Sequence, residues 1–225
     1  MKRSLLFVAL LALSSVASAA GHDGPGRDID KVNGSITASA GEAYGDLSTV
    51  NGGIDLETGA RVGDVETVNG GIEAADDVGA RSVSTVNGAI RFGKQARIDG
   101  DVETVNGGIF IDRGGNVRDD VSTVNGAIGL VDTDLGGGIE TVNGDVTVGV
   151  GSHVKGGIHV EKPSGNGMQW GKQRIPRIVI GPNAVVDGPL VFERDVVLYV
   201  HNTARTGSVR GATPTSYSTA TPPQD

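Results

Sequence analysis

The residues of this chain best suited to chemistry are few and scattered. His153 and His159, two of four histidines, are six residues apart and could share one face, but a metal site or a general base needs more converging groups. Asp132-Thr133-Asp134 begins like a calcium loop, yet its twelfth position is Asn143 rather than glutamate. Asp76-Asp77 and Asp119-Asp120 suit solvated turns. We therefore predict surface histidines, no catalytic residue, no metal site and no cofactor.

One segment collects residues that could bind a carbohydrate. Residues 161–177 contain the single tryptophan, Trp170, with Lys172, Arg174 and Arg177 close by. An indole can stack on a sugar ring, and basic side chains can pair with an acidic polysaccharide. We expect an inserted loop that serves either as a lid over one face or an open end, or as an interaction site. In the second case the chain is a carbohydrate-binding or polysaccharide-cleaving protein. We favour a protein that is not an enzyme, because its acids are spread out and its aromatic residues are few.

A short phrase recurs through the middle of the chain. Six copies read Thr-Val-Asn-Gly and the first reads Lys-Val-Asn-Gly, at intervals of 18 or 19 residues. A fixed period this short predicts stacked copies of one small structural unit. The repeated pairs are Asn33-Gly34, Asn51-Gly52, Asn69-Gly70, Asn87-Gly88, Asn106-Gly107, Asn125-Gly126 and Asn143-Gly144. An enzyme, by contrast, usually depends on residues that occur once.

Each repeat reads as strand, corner, strand. Ile109 and Ile111 alternate with a variable residue, as expected for a strand with one buried face. Asn-Gly suits a corner because both residues tolerate positive φ, so we expect Gly88→Val to strain the fold. The asparagines of successive coils should hydrogen-bond in a ladder, and a row of ligand-binding asparagines is the alternative. Serine and glutamate alternate two residues before each valine, which keeps stacked carboxylates apart: Ser48, Glu66, Ser84, Glu103, Ser122 and Glu140.

These patterns predict an all-β fold, a single-stranded parallel β-helix of roughly nine coils over residues 31–200. Hydrophobic residues make up 37% of the chain, aromatic residues 4%, and glycines number 37. Such a composition suits a narrow core of small aliphatic side chains. Glycines interrupt every potential helix.

The two ends of the chain differ from the repeats. Residues 1–19 have a basic start, an apolar core and a small-residue site, which predicts a signal peptide cleaved after Ala19. Residues 20–30 form a lead-in or cap, and residues 201–225 are expected to be a disordered tail. The chain has no cysteine and a net charge of −8. We predict a periplasmic or secreted protein that does not bind nucleic acid and has no membrane span after cleavage.

The glycine-rich aliphatic repeat resembles the bacterial adhesin-type β-solenoid family, whose repeats carry similar Val-x-Gly-x-Ile phrases. The stretch from Ile178 to Val200 resembles bactofilins, which are polymer-forming β-helix proteins of the cytoskeleton. The resemblance covers residues 30–200 and implies a parallel β-helix that can associate end to end. Bactofilins work in the cytoplasm, whereas this chain begins with a predicted export signal. We expect a structural or adhesin-like module of the cell envelope or cell surface, whose partners are envelope components or a second copy.

Overall fold

The chain winds into coils that stack in register along one axis. A computed structural model describes residues 26–163 and 174–223, and within those ranges all regular structure is β-strand. The strands form three parallel sheets, and most coils contribute one strand to each. The protein is therefore a β-solenoid, as predicted. It has about ten coils and a length of about 45 Å at one strand spacing per coil.

We number the strands β1 to β27 along the chain and the sheets by the order in which a coil enters them. Sheet 1 contains β1 (Arg27–Asn33), β3 (Tyr44–Asn51), β5 (Val65–Asn69), β8 (Val83–Asn87), β11 (Val102–Asn106), β14 (Val121–Asn125), β17 (Ile139–Thr141), β20 (Ile158–Val160), β23 (Leu190–Phe192) and β26 (Val209–Arg210).

Sheet 2 follows the Asn-Gly corner. It contains β2 (Ile36–Ala38), β4 (Ile54–Leu56), β6 (Ile72–Ala74), β9 (Ile90–Phe92), β12 (Ile109–Ile111), β15 (Ile128–Leu130), β18 (Val146–Val148), β21 (Arg177–Ile180), β24 (Val197–His201) and β27 (Thr215–Tyr217).

Sheet 3 is made of two-residue strands. It contains β7 (Gly79–Ala80), β10 (Arg97–Ile98), β13 (Asn116–Val117), β16 (Asp134–Leu135), β19 (His153–Val154), β22 (Val185–Val186) and β25 (Arg205–Thr206). Single bridges through Arg61 extend its pairing to the earlier coils.

The core is a set of aliphatic columns, each with one residue per coil. Val65 pairs with Leu47 on one side and Val83 on the other, and all three are at most 1% exposed. The two sheet 2 columns begin at Ile36 and Ala38 and are also buried. Burying one such side chain contributes about 1.5–3 kcal/mol, so a narrow core suffices when it is repeated in every coil.

The chain after residue 200 continues the stack, contrary to the predicted disordered tail. Strands β25, β26 and β27 each pair with the preceding coil. Tyr217 is 7% exposed, meets Tyr199 edge-on at 6.5 Å and donates from its hydroxyl to the Ile180 carbonyl at 3.3 Å. Composition alone suggested disorder, but an existing sheet edge and an aromatic contact supply the order that the segment lacks by itself. With these strands the solenoid has about ten coils, close to the roughly nine predicted.

The predicted inserted loop, residues 161–177, falls in the chain between a strand of sheet 1 and a strand of sheet 2, and its residues 164–173 lie outside the described residues. Strand β20 of sheet 1 ends at Val160, and the next strand, β21 of sheet 2, begins at Arg177. Val160 pairs with Thr141 and Ile178 pairs with Val146, so the chain leaves sheet 1 before, and joins sheet 2 after, the positions that correspond to the Asn143-Gly144 corner of the preceding coil. Arg177, assigned to the loop from the sequence, is the first residue of β21.

Candidate functional site

The corner between sheets 1 and 2 carries a continuous row of asparagine side chains. From Asn51 onward, each Nδ2 donates to the Oδ1 of the asparagine one coil earlier, over 2.9–3.1 Å. The row consists of Asn33, Asn51, Asn69, Asn87, Asn106, Asn125 and Asn143. Each inner amide both donates and accepts, and the row therefore joins the coils to one another.

The threonine of the phrase lies inside the coil, and its valine neighbour points outward. Thr67 is 4% exposed and pairs with Thr49 and Thr85. Its hydroxyl donates to the Gly52 carbonyl of the preceding coil at 2.9 Å, and four other threonines make the equivalent bond at 2.9–3.1 Å. The sequence indicates this inward position, because side chains alternate along a strand and Thr67 is two residues after the buried Val65.

The corner glycines are required for close approach rather than for positive φ, which corrects the sequence interpretation. Among the seven glycines of the Asn-Gly corners, only Gly34, in the first coil, has positive φ, at 106°. A Cβ added to Gly70 or Gly88 would overlap the carbonyl group of the glycine one coil earlier. The same overlap occurs throughout the stacked corners: Gly52, Gly70, Gly88, Gly107, Gly126 and Gly144. Neighbouring coils approach here too closely for any side chain.

The outward side of sheet 1 presents two columns that run along the stack, and we call them together the sheet 1 face. One column is valine and the other alternates serine with glutamate, as the strand register requires. The valines are half-buried: Val50, Val68, Val86, Val105 and Val124. The second column is Ser48, Glu66, Ser84, Glu103, Ser122 and Glu140. Equivalent carboxylates are thus two coils apart, about 9.6 Å.

The glutamates of the sheet 1 face have raised pKa values. For each of them burial is the largest cause, because it disfavours the charged form, and a neighbouring carboxylate adds to it. The neighbours are Asp64 for Glu66, Asp101 for Glu103 and Asp120 for Glu140. His159 acts in the opposite direction on Glu140.

Aspartates beside the sheet 1 face join consecutive coils. The Asp46 carboxylate accepts from the Asp64 backbone N–H at 2.8 Å, and Asp101 accepts likewise from Asp120 at 2.9 Å. Asp120 in turn accepts from the Gly138 N–H at 2.6 Å. The sequence interpretation of Asp120 as a solvated turn residue missed this role, because the donor is a backbone group about 18 residues away.

Arg194 lies where the asparagine row ends. It follows Phe192 by two residues, just as Asn143 follows Thr141, so it occupies the asparagine column two coils further on. Its guanidinium spans the coil that contains the insertion, and donates to the Asn143 Oδ1 and, at 3.1 Å, to the Arg174 carbonyl. Sequence reasoning missed Arg194 because the insertion disguises its position in the repeat.

The two described arginines of the candidate interaction loop contact the protein itself. The Arg174 guanidinium pairs with the Asp145 carboxylate, which also accepts from the Arg177 backbone N–H at 2.9 Å. The Arg177 guanidinium lies 5.0 Å from the centre of the Tyr199 ring and donates to the Pro223 carbonyl. The other two residues predicted for this site, Trp170 and Lys172, lie outside the described residues, as does the predicted signal peptide.

The two central histidines occupy different sheets. His153 is in β19 of sheet 3, and its Nε2 lies 2.7 Å from the Asp187 carboxylate. His159 is in β20 of sheet 1, and its Nε2 lies 3.1 Å from Glu193. Each therefore pairs with an acid of the following coil, and the two do not converge. In residues 26–163 and 174–223 no three metal-ligating side chains cluster.

Comparison with family models, with curated proteins and with solved structures finds no match to this chain. The fold itself defines the class, a β-solenoid of parallel coils. Affiliation with adhesin-type solenoids or bactofilins stays a prediction. None of the described segments is a helix of the length and hydropathy needed to cross a membrane.

Proposed function

We propose that this chain is an exported, non-enzymatic structural or adhesin-like solenoid that acts in the cell envelope or at the cell surface. The observation that supports it most is the sheet 1 face, where the same outward residues recur coil after coil. A face of identical sites can make many weak contacts with a repetitive partner, and such contacts add up to firm attachment.

The polar groups of the repeat support a structural role for the phrase itself. The asparagine amides bond to one another, and the threonine hydroxyls bond to corner carbonyls. The outward side of the same strands offers half-buried valine beside alternating serine and glutamate. A partner of this face would therefore meet an apolar stripe bordered by carboxylates, and we expect it to carry apolar groups with basic ones alongside.

The alternative function, carbohydrate binding by the loop around Trp170, draws no support from the described arginines. Arg174 pairs with Asp145, and Arg177 stacks on Tyr199. The Asp145 carboxylate offsets part of the Arg174 charge, so this guanidinium attracts an acidic sugar less strongly than one with no acidic neighbour.

Export and attachment are tested together with the full-length chain expressed in a Gram-negative bacterium. Mass spectrometry of the envelope and secreted fractions should find a protein that begins at Ala20. The labelled mature protein should then co-sediment with intact cells or with purified peptidoglycan sacculi. A chain that keeps residues 1–19 in the cytoplasm, or a mature protein that sediments with neither probe, would overturn the proposal.

Two variants locate the attachment surface. Val105→Lys places a charge in the valine column of the sheet 1 face, and we expect binding to fall at least about tenfold. Asp55→Lys introduces the same side chain in the exposed column of sheet 2, with a larger change of charge, and should leave binding within about twofold. Equal losses in both variants would argue against the sheet 1 face.

A further inference from the structure

The first copy of the repeated phrase differs from the other six in its first residue, which is lysine instead of threonine, and it lies in the first strand of the described stack. Lys31 pairs with Thr49, so it occupies the threonine column. The six threonines of this column, from Thr49 to Thr141, are 0–4% exposed. Lys31 is exposed, because β1 is the edge strand of sheet 1 in the described part of the chain.

A threonine in this column hydrogen-bonds to the preceding coil, so it needs another coil before its own. The Thr49 hydroxyl reaches back to the Gly34 carbonyl of the first coil. Lys31 instead donates from its ammonium to the Ser35 carbonyl of its own coil, at 2.6 Å. The lysine thus bonds to the corner of its own coil rather than to that of an earlier one.

A further coil stacked on β1 would enclose the ammonium group. In the stack this column is closed to solvent, and an unpaired charge is strongly disfavoured there. Charges that point inward at a sheet edge are a known means of preventing edge-to-edge association. The rest of the first coil matches the repeat: Ile29 pairs with Leu47, and Asn33 pairs with Asn51.

We propose that Lys31 prevents the N-terminal edge of this solenoid from pairing with the C-terminal edge of a second copy. The partner excluded is another molecule of this chain, whose β26 would otherwise continue sheet 1 onto β1. Asn33 favours such pairing, because its Oδ1 accepts from Asn51 while its Nδ2 donates to none of the described residues. The inference concerns assembly alone and does not depend on what the sheet 1 face binds. It is the opposite of the end-to-end association with a second copy that the family resemblance implies.

The test is Lys31→Thr, which restores the phrase of the other six copies, with Lys31→Arg as the matched control that keeps the charge. Mature proteins are compared by size-exclusion chromatography with light scattering over a wide concentration range. Wild type and Lys31→Arg should remain monomeric. Lys31→Thr should form larger species as its concentration rises, with an association constant at least about tenfold higher. A monomeric Lys31→Thr, or a wild-type protein that already polymerises, would overturn the proposal.

A second variant separates the two possible geometries. Val209→Lys adds an equivalent charge to the last strand of sheet 1, in the column that begins with Ile29 and Leu47. In the Lys31→Thr background it should abolish association if the contact runs from head to tail. Association that persists in the double variant would mean that two N-terminal edges meet, and would overturn the assigned partner edge. Circular dichroism and melting curves confirm that each variant is folded.

Discussion

The coils that carry the Val-Asn-Gly phrase and those that follow residue 148 are held together in different ways. The first group repeats one set of bonds in almost every coil, namely an asparagine pair and a threonine–carbonyl bond. The second group uses contacts that occur once, such as the bonds from Arg194 and the Tyr199–Tyr217 pair. The same backbone fold is thus stabilised by many equal contributions in one region and by a few individual ones in the other.

This difference has a consequence for how the two regions tolerate change. Loss of one ladder bond leaves its neighbours in place, because each coil contacts only the next. Loss of a contact beside the insertion, such as a bond from Arg194, removes an interaction that has no equivalent in the neighbouring coils. The exception in the regular region is the glycine corner, where a side chain would push the coils apart.

The largest expected effect is therefore at a corner glycine. Gly70→Ala would overlap the Gly52 carbonyl and should lower the free energy of unfolding by about 3 kcal/mol. The matched control is Gly71→Ala, since Ala89 and Ala127 already stand in that column of later coils, and it should cost less than about 1 kcal/mol. Denaturant unfolding of both variants decides the matter, and equal losses would contradict the requirement for close approach.

The sequence predicted the coils with the Val-Asn-Gly phrase well, because the spacing of the phrase shows directly which residues pair between neighbouring coils. Eighteen-residue spacing and aliphatic alternation were enough for sheets 1 and 2, their core columns and the corner between them, but not for the two-residue strands of sheet 3. The same alternation places the threonine inside and the following valine outside. Polarity alone would suggest the reverse, with valine inside and threonine outside. Only the contact with the glycine carbonyl, about 15 residues earlier, explains why a hydroxyl is stable inside.

The irregular region could not be predicted in the same way. Arg194 falls in the asparagine column only after Phe192 is aligned with Val160, and the insertion hides that alignment. The strands after residue 200 depend on an edge that the preceding coil provides, so their composition alone points to disorder. At Arg194 the partners, Asn143 and Arg174, stand at spacings that do not follow the repeat. After residue 200 the spacing does follow it, since Tyr199 and Tyr217 are 18 residues apart, but the Val-Asn-Gly phrase that marks each coil in the sequence is missing.

The next largest effect is expected at Arg194. Arg194→Met keeps most of the aliphatic stem but removes the bonds to the Asn143 side chain and the Arg174 carbonyl, and should cost about 2 kcal/mol. Asn87→Ala, which interrupts the ladder in mid-stack, serves as the comparison from the regular region and should cost about half as much. Chemical denaturation measures both, and a larger loss from Asn87→Ala would reverse the contrast between the two regions.

A smaller effect is expected at the buried threonines. Thr104→Val keeps the shape of the side chain but leaves the Gly88 carbonyl without its hydroxyl donor, and should cost about 1 kcal/mol. The adjacent Val105→Thr changes the outward column in the opposite sense and should stay within about 0.5 kcal/mol of wild type. Thermal melts of the pair test which side chain faces the core, and the reverse order of stabilities would contradict the assignment.

The smallest effect is a pH dependence confined to the sheet 1 face. Burial and the neighbouring Asp101 raise the pKa of Glu103 above that in the unfolded chain. Between those two values the folded protein binds more protons than the unfolded chain, so stability falls as pH rises through that window. At pH 7 the charged Glu103 is therefore destabilising, and Glu103→Gln should raise the melting temperature by up to about 2 °C.

The same comparison at low pH completes the test. Below the unfolded-state pKa of glutamate, at about pH 3.5, Glu103 is neutral in both states and the advantage of Glu103→Gln should vanish. Asp55→Asn, in the exposed column of sheet 2, is the matched control for removal of one negative charge. If the higher melting temperature of Glu103→Gln persists unchanged at low pH, the stabilisation comes from packing of the glutamine side chain rather than from removal of a buried charge. That result would contradict the destabilising role of the Glu103 carboxylate.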